Sequence, residues 1–231
     1  MKGKLQDWLK LARFEHAILV AIAIFISEAI TLKYLGMQFS FTYATAFPAI
    51  GPVLIAAAAF MLNDYFGYET DKANKRFDRP LVAKKIVRHD ALVAATFLFA
   101  LGLALSFFTN IYCFAVALIY SFLSAIYDNY LKKKPLLGNL YIASTMGISF
   151  IYGNFAVSTE LQEIILLFTA ISILAGVGRE LIITLRDVKG DRKIGAKTLP
   201  MLLGASMTLQ LASVFFLAAI VLSWIPIGNK Y

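Results

Sequence analysis

Two acidic clusters sit in matching places along this chain, Asn63-Asp64-Tyr65-Phe66-Gly67-Tyr68-Glu69-Thr70-Asp71 and Asp187-Val188-Lys189-Gly190-Asp191. Each lies where a long apolar run gives way to a basic loop. Carboxylates at the end of a membrane span are costly, because hydrocarbon cannot solvate them, so a partner has to offset the cost. Asn63, Gly67 and Asp71 are four residues apart and share one face of a continuous helix, as do Asp187 and Asp191. An Asn carbonyl and carboxylates are hard oxygen donors suited to Mg2+, which takes few protein ligands and completes its shell with water and phosphate oxygens. Asp64 points elsewhere on the helix yet is close enough to contribute. Two such sets at one membrane surface, ringed by Lys and Arg, have the chemistry of a divalent-metal site that grips a diphosphate. The plainer alternative, that Asn63-Asp64 caps a helix end above a solvated loop, leaves the second cluster unaccounted for.

The charges around these clusters admit two readings each. Arg179-Glu180 lies about two turns deeper than Asp187 on the same stripe. It is either an internal ion pair or a cation beneath a bound phosphate, a role that suits the forked donors of Arg. Tyr127-Asp128-Asn129-Tyr130-Leu131-Lys132-Lys133-Lys134 is either an interfacial tyrosine belt with topology-setting lysines or a ligand set. In the second case Lys132 or Lys133 holds the diphosphate and a tyrosine hydroxyl bonds the leaving oxygen. Arg13, at the mouth of the first apolar run, and Lys197, in the last basic loop, divide in the same way. His16 and His89 are assigned no role.

The elements that carry these residues are membrane helices. Of 231 residues, 60% are hydrophobic, and the mean hydropathy is +0.73, too apolar for an ordinary soluble domain. Seven runs approach the roughly 20 residues that cross a bilayer: 16–32, 45–62, 91–109, 111–127, 138–157, 163–185 and 205–227. Runs of that length satisfy their backbone in lipid as helices. Twenty of the 22 Lys and Arg residues fall in the N-terminal segment and the loops at 64–90, 128–137 and 179–200. The positive-inside rule then places the N-terminus and both acidic clusters on the cytoplasmic face of a multi-pass cell-membrane protein. The net charge of +8 is thereby a topology signal that calls for no nucleic-acid partner. Leu5, Trp8, Leu9 and Ala12, with lysines around them, read as a short amphipathic helix in the cytoplasmic interface. Cys113 alone permits no intrachain disulfide, and the first run is too long for a cleavable signal peptide.

The ends of the second and sixth runs form a faint repeat, acidic residues followed by Lys/Arg and then Pro80 or Pro200. Two similar halves, each giving one wall of a central cavity, fit that pattern. In order, spacing and membrane side the two motifs resemble the UbiA superfamily of intramembrane prenyltransferases. That family carries Asn-Asp-x-x-Asp-x-x-x-Asp after its second helix and Asp-x-x-x-Asp after its sixth. Asp78-Arg79-Pro80, Tyr127 with Leu131-Lys132-Lys133, Pro135-Leu136-Leu137-Gly138-Asn139, Arg179-Glu180 and Gly195-Ala196-Lys197-Thr198-Leu199-Pro200 match as well. Gly67 stands where the family has its middle Asp, which removes one carboxylate from the first motif. Gly67→Asp is expected to leave activity equal or raise it.

The resemblance implies an all-α polytopic transmembrane bundle. It also implies one membrane-embedded domain over 1–231, about seven spans where the family usually has nine, and hence a chain without the last two. It implies Mg2+ as cofactor, held by Asn63, Asp64, Asp71, Asp187 and Asp191. A prenyl diphosphate is the donor, bound by Arg13, Arg79, Tyr127, Lys132, Lys133, Arg179 and Lys197. Ionisation of the allylic C–O bond lets an acceptor attack C1, with the apolar tail reaching between helices toward membrane lipid. Within the family the Arg179–Pro200 block and the Lys-Lys-Pro-Leu-Leu-Gly-Asn-Leu stretch are similar to archaeal digeranylgeranylglyceryl phosphate synthases. Those enzymes prenylate the hydroxyl of a phosphorylated glycerol ether. An aromatic acceptor of quinone synthesis, 4-hydroxybenzoate or a naphthoate, is the alternative, and a non-enzymatic membrane carrier is a third reading. Protein partners are not legible.

Overall fold

The computed structural model describes residues 2–127, 130–131, 134–193, 195 and 197–225, with the backbone alone at 2, 189–191 and 193. The described elements are helices: α1 (Lys2–Leu11), α2 (Phe14–Tyr34), α3 (Tyr43–Phe66), α4 (Tyr68–Ala73), α5 (Arg88–Thr109), α6 (Ile111–Tyr127), α7 (Leu137–Val157), α8 (Glu163–Lys193) and α9 (Leu199–Ser223). Six of them, α2, α3, α5, α7, α8 and α9, are long and apolar enough to cross a membrane. The expected fourth run becomes the 17-residue α6, about 26 Å long at 1.5 Å per residue and short of a roughly 30 Å hydrocarbon core. Asn110 sets its start: the backbone N–H of Asn110 closes α5 on Ser106 O at 3.3 Å, and its Oδ1 accepts from the Cys113 N–H at 2.9 Å. The last helix begins six residues before the expected 205. Thr198 is extended there, and Pro200 falls in the first turn, where its missing N–H costs nothing. Gly204, at φ 78°, kinks α9.

The chain divides into two compact units, Met1–Phe25 with Phe41–Asp128, and Ile26–Ser40 with Asn129–Tyr231. In the first, α3 and α5 approach through glycines. A Cβ at Gly51 would lie 2.8 Å from Gly102 O, and one at Gly102 would lie 2.8 Å from Gly51 O. Lipid tails are as apolar as Leu, so helices in a membrane associate by close packing of such small residues. Leu11, Ala58, Met61, Leu81, Ile86 and Ala91 form the core beside them. The stripe expected on α1 is split. Trp8 and Ala12 turn toward this core, whereas Leu5 and Leu9 stay exposed. The corner after Leu11 and the ion pair between Asp7 and Lys85, at 3.0 Å, fix that orientation.

In the second unit α8 packs on α7 and α9 through Gly176 against Ala143 and Gly178 against Phe216. Asn154 organises the connection at 158–162: its Nδ2 donates to Glu160 O at 2.9 Å and its Oδ1 accepts from the Gln162 N–H at 3.2 Å. Thr31 Oγ1 donates to the same Oδ1 at 3.3 Å, and Ser27 Oγ donates to Phe150 O. Glu28 lies between these two on α2, fully buried, and neither carboxylate oxygen has a hydrogen-bond partner among the described residues. A buried, unpaired acid lowers stability. Glu28→Gln, which keeps the shape and removes the ionisable group, is therefore expected to leave the thermal midpoint in detergent unchanged or raise it by about 2–4 °C. A clear fall in the midpoint would mean that the carboxylate has a partner.

Candidate functional site

The first acidic motif straddles the junction of α3 and α4. Gly67 interrupts the helix, yet it keeps a right-handed conformation at φ −76°, ψ −3°. The Gly67 N–H donates to Asn63 O and the Asp71 N–H donates to Gly67 O, each at 2.9 Å. These i to i−4 bonds carry the helical register through the break, so Asn63, Gly67 and Asp71 stay stacked on one face. A Cβ at Gly67 would lie 2.8 Å from Asn63 O and 3.7 Å from Asp71 Oδ2. An aspartate fits there only if the junction opens, a constraint invisible in the motif itself. Arg88, at the start of α5, braces the junction from outside. Its guanidinium stacks on Tyr65 and Tyr68 at 5.0 and 4.5 Å and donates to Tyr65 O at 3.2 Å.

Asp64 turns away from that face into the protein and is 2% exposed. Its Oδ1 accepts from Arg13 Nη2 at 3.1 Å and Arg79 Nη1 at 2.9 Å. One carboxylate thus holds two guanidiniums that lie 51 and 15 residues away in sequence. Arg13 reaches it from the corner between α1 and α2, where its φ is 45°. A non-glycine residue in that region stores strain of about 1–2 kcal/mol. Arg13 also lies over the Phe60 ring at 4.7 Å. Burial, then the adjacent Arg79 charge, lower the pKa of Arg13 from its ordinary value, and Asp64 opposes both. The Arg79 Nε lies 4.0 Å from Asp71 Oδ2, which joins this clamp to the motif's outer face.

The second motif lies on the C-terminal part of α8, whose 31 residues extend about 46 Å, well beyond the hydrocarbon. Arg186 holds the half-exposed Asp187 from Nε and Nη2 at 3.0 and 3.2 Å, a surface pair of little energetic weight. Arg179 donates to Glu180 Oε1 at 2.7 Å while remaining 51% exposed. That bond is the expected ion pair, and the exposure leaves the guanidinium able to meet an anion as well. Lys197 is exposed ahead of α9, and Tyr127 ends α6. Lys132 and Lys133 lie outside the described residues, as does the Asp191 side chain.

Among the described residues no three His, Cys, Asp or Glu side chains converge to hold a cation. Mg2+ needs no such cage, because one or two carboxylates with waters and phosphate oxygens satisfy it. Asp71, partly exposed and in loose contact with Arg79, and Asn63 on the same face fit that demand. Asp64 serves the guanidiniums, with its Oδ2 buried and without a hydrogen-bond partner among the described residues.

Residues 14–230 match the model of the UbiA prenyltransferase family. The chain belongs to this family. It is 34% identical to the digeranylgeranylglyceryl phosphate synthase of Archaeoglobus fulgidus over 98% of this chain and 76% of that protein. Against the synthase of Methanosarcina barkeri it is 32% identical over 98% and 81%. A solved structure of a digeranylgeranylglyceryl phosphate synthase superposes with a TM-score of 0.78 at 29% identity, covering 96% of this chain and 76% of that one. A UbiA homologue from Archaeoglobus fulgidus bound to DMAPP and Mg2+ shares the fold, with a TM-score of 0.77 at 16% identity over 94% and 76%.

Membership of the UbiA family is thus legible in the two motifs and confirmed along nearly the whole chain, which is an all-helical multi-pass membrane prenyltransferase. The role of Asp64 was not legible, since nothing in the sequence pairs it with Arg13. Removing its side chain leaves the largely buried Arg13 without its acid and Arg79 with only the loose contact to Asp71. Asp64→Ala is expected to cost about 3 kcal/mol of stability, read as a fall in the thermal midpoint, and Asp64→Asn, which keeps an oxygen acceptor, less.

Proposed function

We propose that this chain catalyses the Mg2+-dependent transfer of a geranylgeranyl group from its diphosphate to the free hydroxyl of geranylgeranylglyceryl phosphate, a step of archaeal-type ether-lipid synthesis. The observation that carries this reading is the likeness, over 98% of the chain, to synthases named for that product. Asn63, Asp71, Asp187 and Asp191 all stand at motif positions of the family.

In this reading Asn63 and Asp71 supply the oxygen donors of one motif, and Asp187 and Asp191 those of the other. Mg2+, when bound, places positive charge on the leaving diphosphate and lowers the barrier to its departure. Arg79, Arg179, Lys132, Lys133 and Lys197 hold the diphosphate oxygens, and the Tyr127 hydroxyl donates to the leaving oxygen. The allylic C1–O bond breaks and its electron pair leaves with the diphosphate. The acceptor's hydroxyl oxygen then forms the new C1–O bond and loses its proton to the departing diphosphate. The charge distribution supports a cytoplasmic site, which a water-soluble diphosphate head can reach while its tail stays in lipid.

The test offers purified protein labelled geranylgeranyl diphosphate, with or without Mg2+, and either geranylgeranylglyceryl phosphate or 4-hydroxybenzoate. Labelled ether lipid from the first acceptor, formed only with Mg2+, is the expected result. Product from the aromatic acceptor alone would move the protein to quinone synthesis, and no release of diphosphate in either case would leave a carrier. Asp71→Ala and Asp187→Ala are each expected to reduce the transfer rate by at least about a thousandfold while the thermal midpoint holds. Unchanged rates would remove these residues from the site.

A further inference from the structure

A second anion-binding feature lies beside the first motif, within the first unit, and the motifs do not account for it. It is a recess of about 270 Å³ whose charged lining is Lys10, Arg13, Arg76 and Arg79 with Glu15 and Asp78. The volume is that of roughly nine waters, enough for a hydrated phosphate group. Even with Asp64 behind the lining, cations outnumber acids four to three. The two acids of the lining are poorly placed to hold a metal. Asp78 accepts from Arg76 Nε and Nη2, both at 2.9 Å, and those bonds hold its pKa down at about 2. Glu15 is 73% exposed, 3.7 Å from His16, and largely spent on solvent. Neither Asn63 nor Asp71 lines the recess. Its chemistry is direct binding of an anion by Lys and Arg, without an intervening cation.

Strain points the same way. The left-handed Arg13 keeps two guanidiniums pressed against a single carboxylate oxygen, and each has further N–H donors to offer. Two adjacent like charges sharing one acid are stabilised by another anion. A phosphate monoester, at about −1.5 to −2 near neutral pH, offers those donors the further acceptor oxygens.

We propose that this recess seats the phosphate monoester of the acceptor, held by Lys10, Arg13, Arg76 and Arg79. The proposal rests on the reading that the acceptor is a phosphorylated glycerol ether. It moves Arg13 from the donor's diphosphate to the acceptor. A glycerol that carries one ether and one phosphate has a single hydroxyl left, only a few bonds from phosphorus. The acceptor's phosphate must therefore sit next to the donor's diphosphate, and Arg79, in contact with Asp64 and 4.0 Å from Asp71, lies where both can share it.

The test is Lys10→Glu, with the exposed Lys4→Glu on the same helix as control. Transfer is measured to geranylgeranylglyceryl phosphate and to its dephosphorylated alcohol. Lys10→Glu is expected to raise KM for the phosphorylated acceptor at least about tenfold and to leave KM for the donor and for the alcohol unchanged. Equal effects on both acceptors, or an effect on the donor, would overturn the assignment. A second readout needs no turnover: glycerol phosphate is expected to raise the thermal midpoint of the wild type and of Lys4→Glu, but not of Lys10→Glu. If the wild type transfers to neither acceptor, the acceptor reading fails, and this shift still decides the recess. Stabilisation by phosphatidylglycerol vesicles but not by glycerol phosphate would make the recess a lipid-headgroup site and overturn the proposal.

Discussion

The bond from one buried carboxylate to two arginines is the interaction on which the first unit depends. Asp64 sits near the C-terminal end of the apolar α3, where an unpaired charge would be driven out. Arg13 and Arg79 make its burial tolerable, and in return Asp64 fixes where both arrive. Arg13 sits in the corner between α1 and α2, so the clamp holds the turn beside which Leu11 and Ala12 enter the core. Arg79 belongs to the long basic loop, which the clamp folds back against the motif it follows. The strained backbone of Arg13 persists because the surroundings over-determine it.

Around that clamp the helices pack by a membrane logic. Close approach falls to Gly51 and Gly102 in one unit and to Gly176 and Gly178 in the other, because van der Waals contact rather than expulsion of water brings helices together in lipid. Large apolar side chains such as Phe107, Phe108 and Leu217 are left facing outward, where hydrocarbon solvates them. Buried polar groups are mostly answered locally, as Asn154 answers its loop. Glu28 is an exception, with both carboxylate oxygens buried and without a hydrogen-bond partner among the described residues, and its cost is borne by the rest of the unit.

Electrostatics at the rim follow from the same economy of charge. The acidic face of Asn63 and Asp71 and the basic recess of Lys10 and Arg76 are neighbours joined by Arg79. In our reading, a rim with both signs of charge side by side takes a metal-bound diphosphate and a bare phosphate that share Arg79 and otherwise use different ligands. This division of labour is our reading of the geometry, and it gives the single missing carboxylate at Gly67 less weight. The tight junction there, with Asn63 O in the space of a Cβ, belongs to a site built around glycine.

The sequence by itself determined the class of the protein. Apolar runs of bilayer length dictate helices, because only internal hydrogen bonding satisfies a backbone in lipid. Paired Asp motifs at run ends carried the family, and helical spacing alone put Asn63 with Asp71. Those conclusions are local, resting on periodicity and nearest neighbours. The apolar run 111–127 coincides with α6, whereas the start of α9 escaped the reading, because a cap at Thr198 depends on backbone geometry that hydropathy does not encode. Only the tertiary structure decided which of two adjacent motif residues faces the solvent rim and which is buried. It alone revealed that Asp64 is bound to an arginine 51 residues away. Long-range pairing of charges is set by how helices are turned about their axes, and packing fixes that turn.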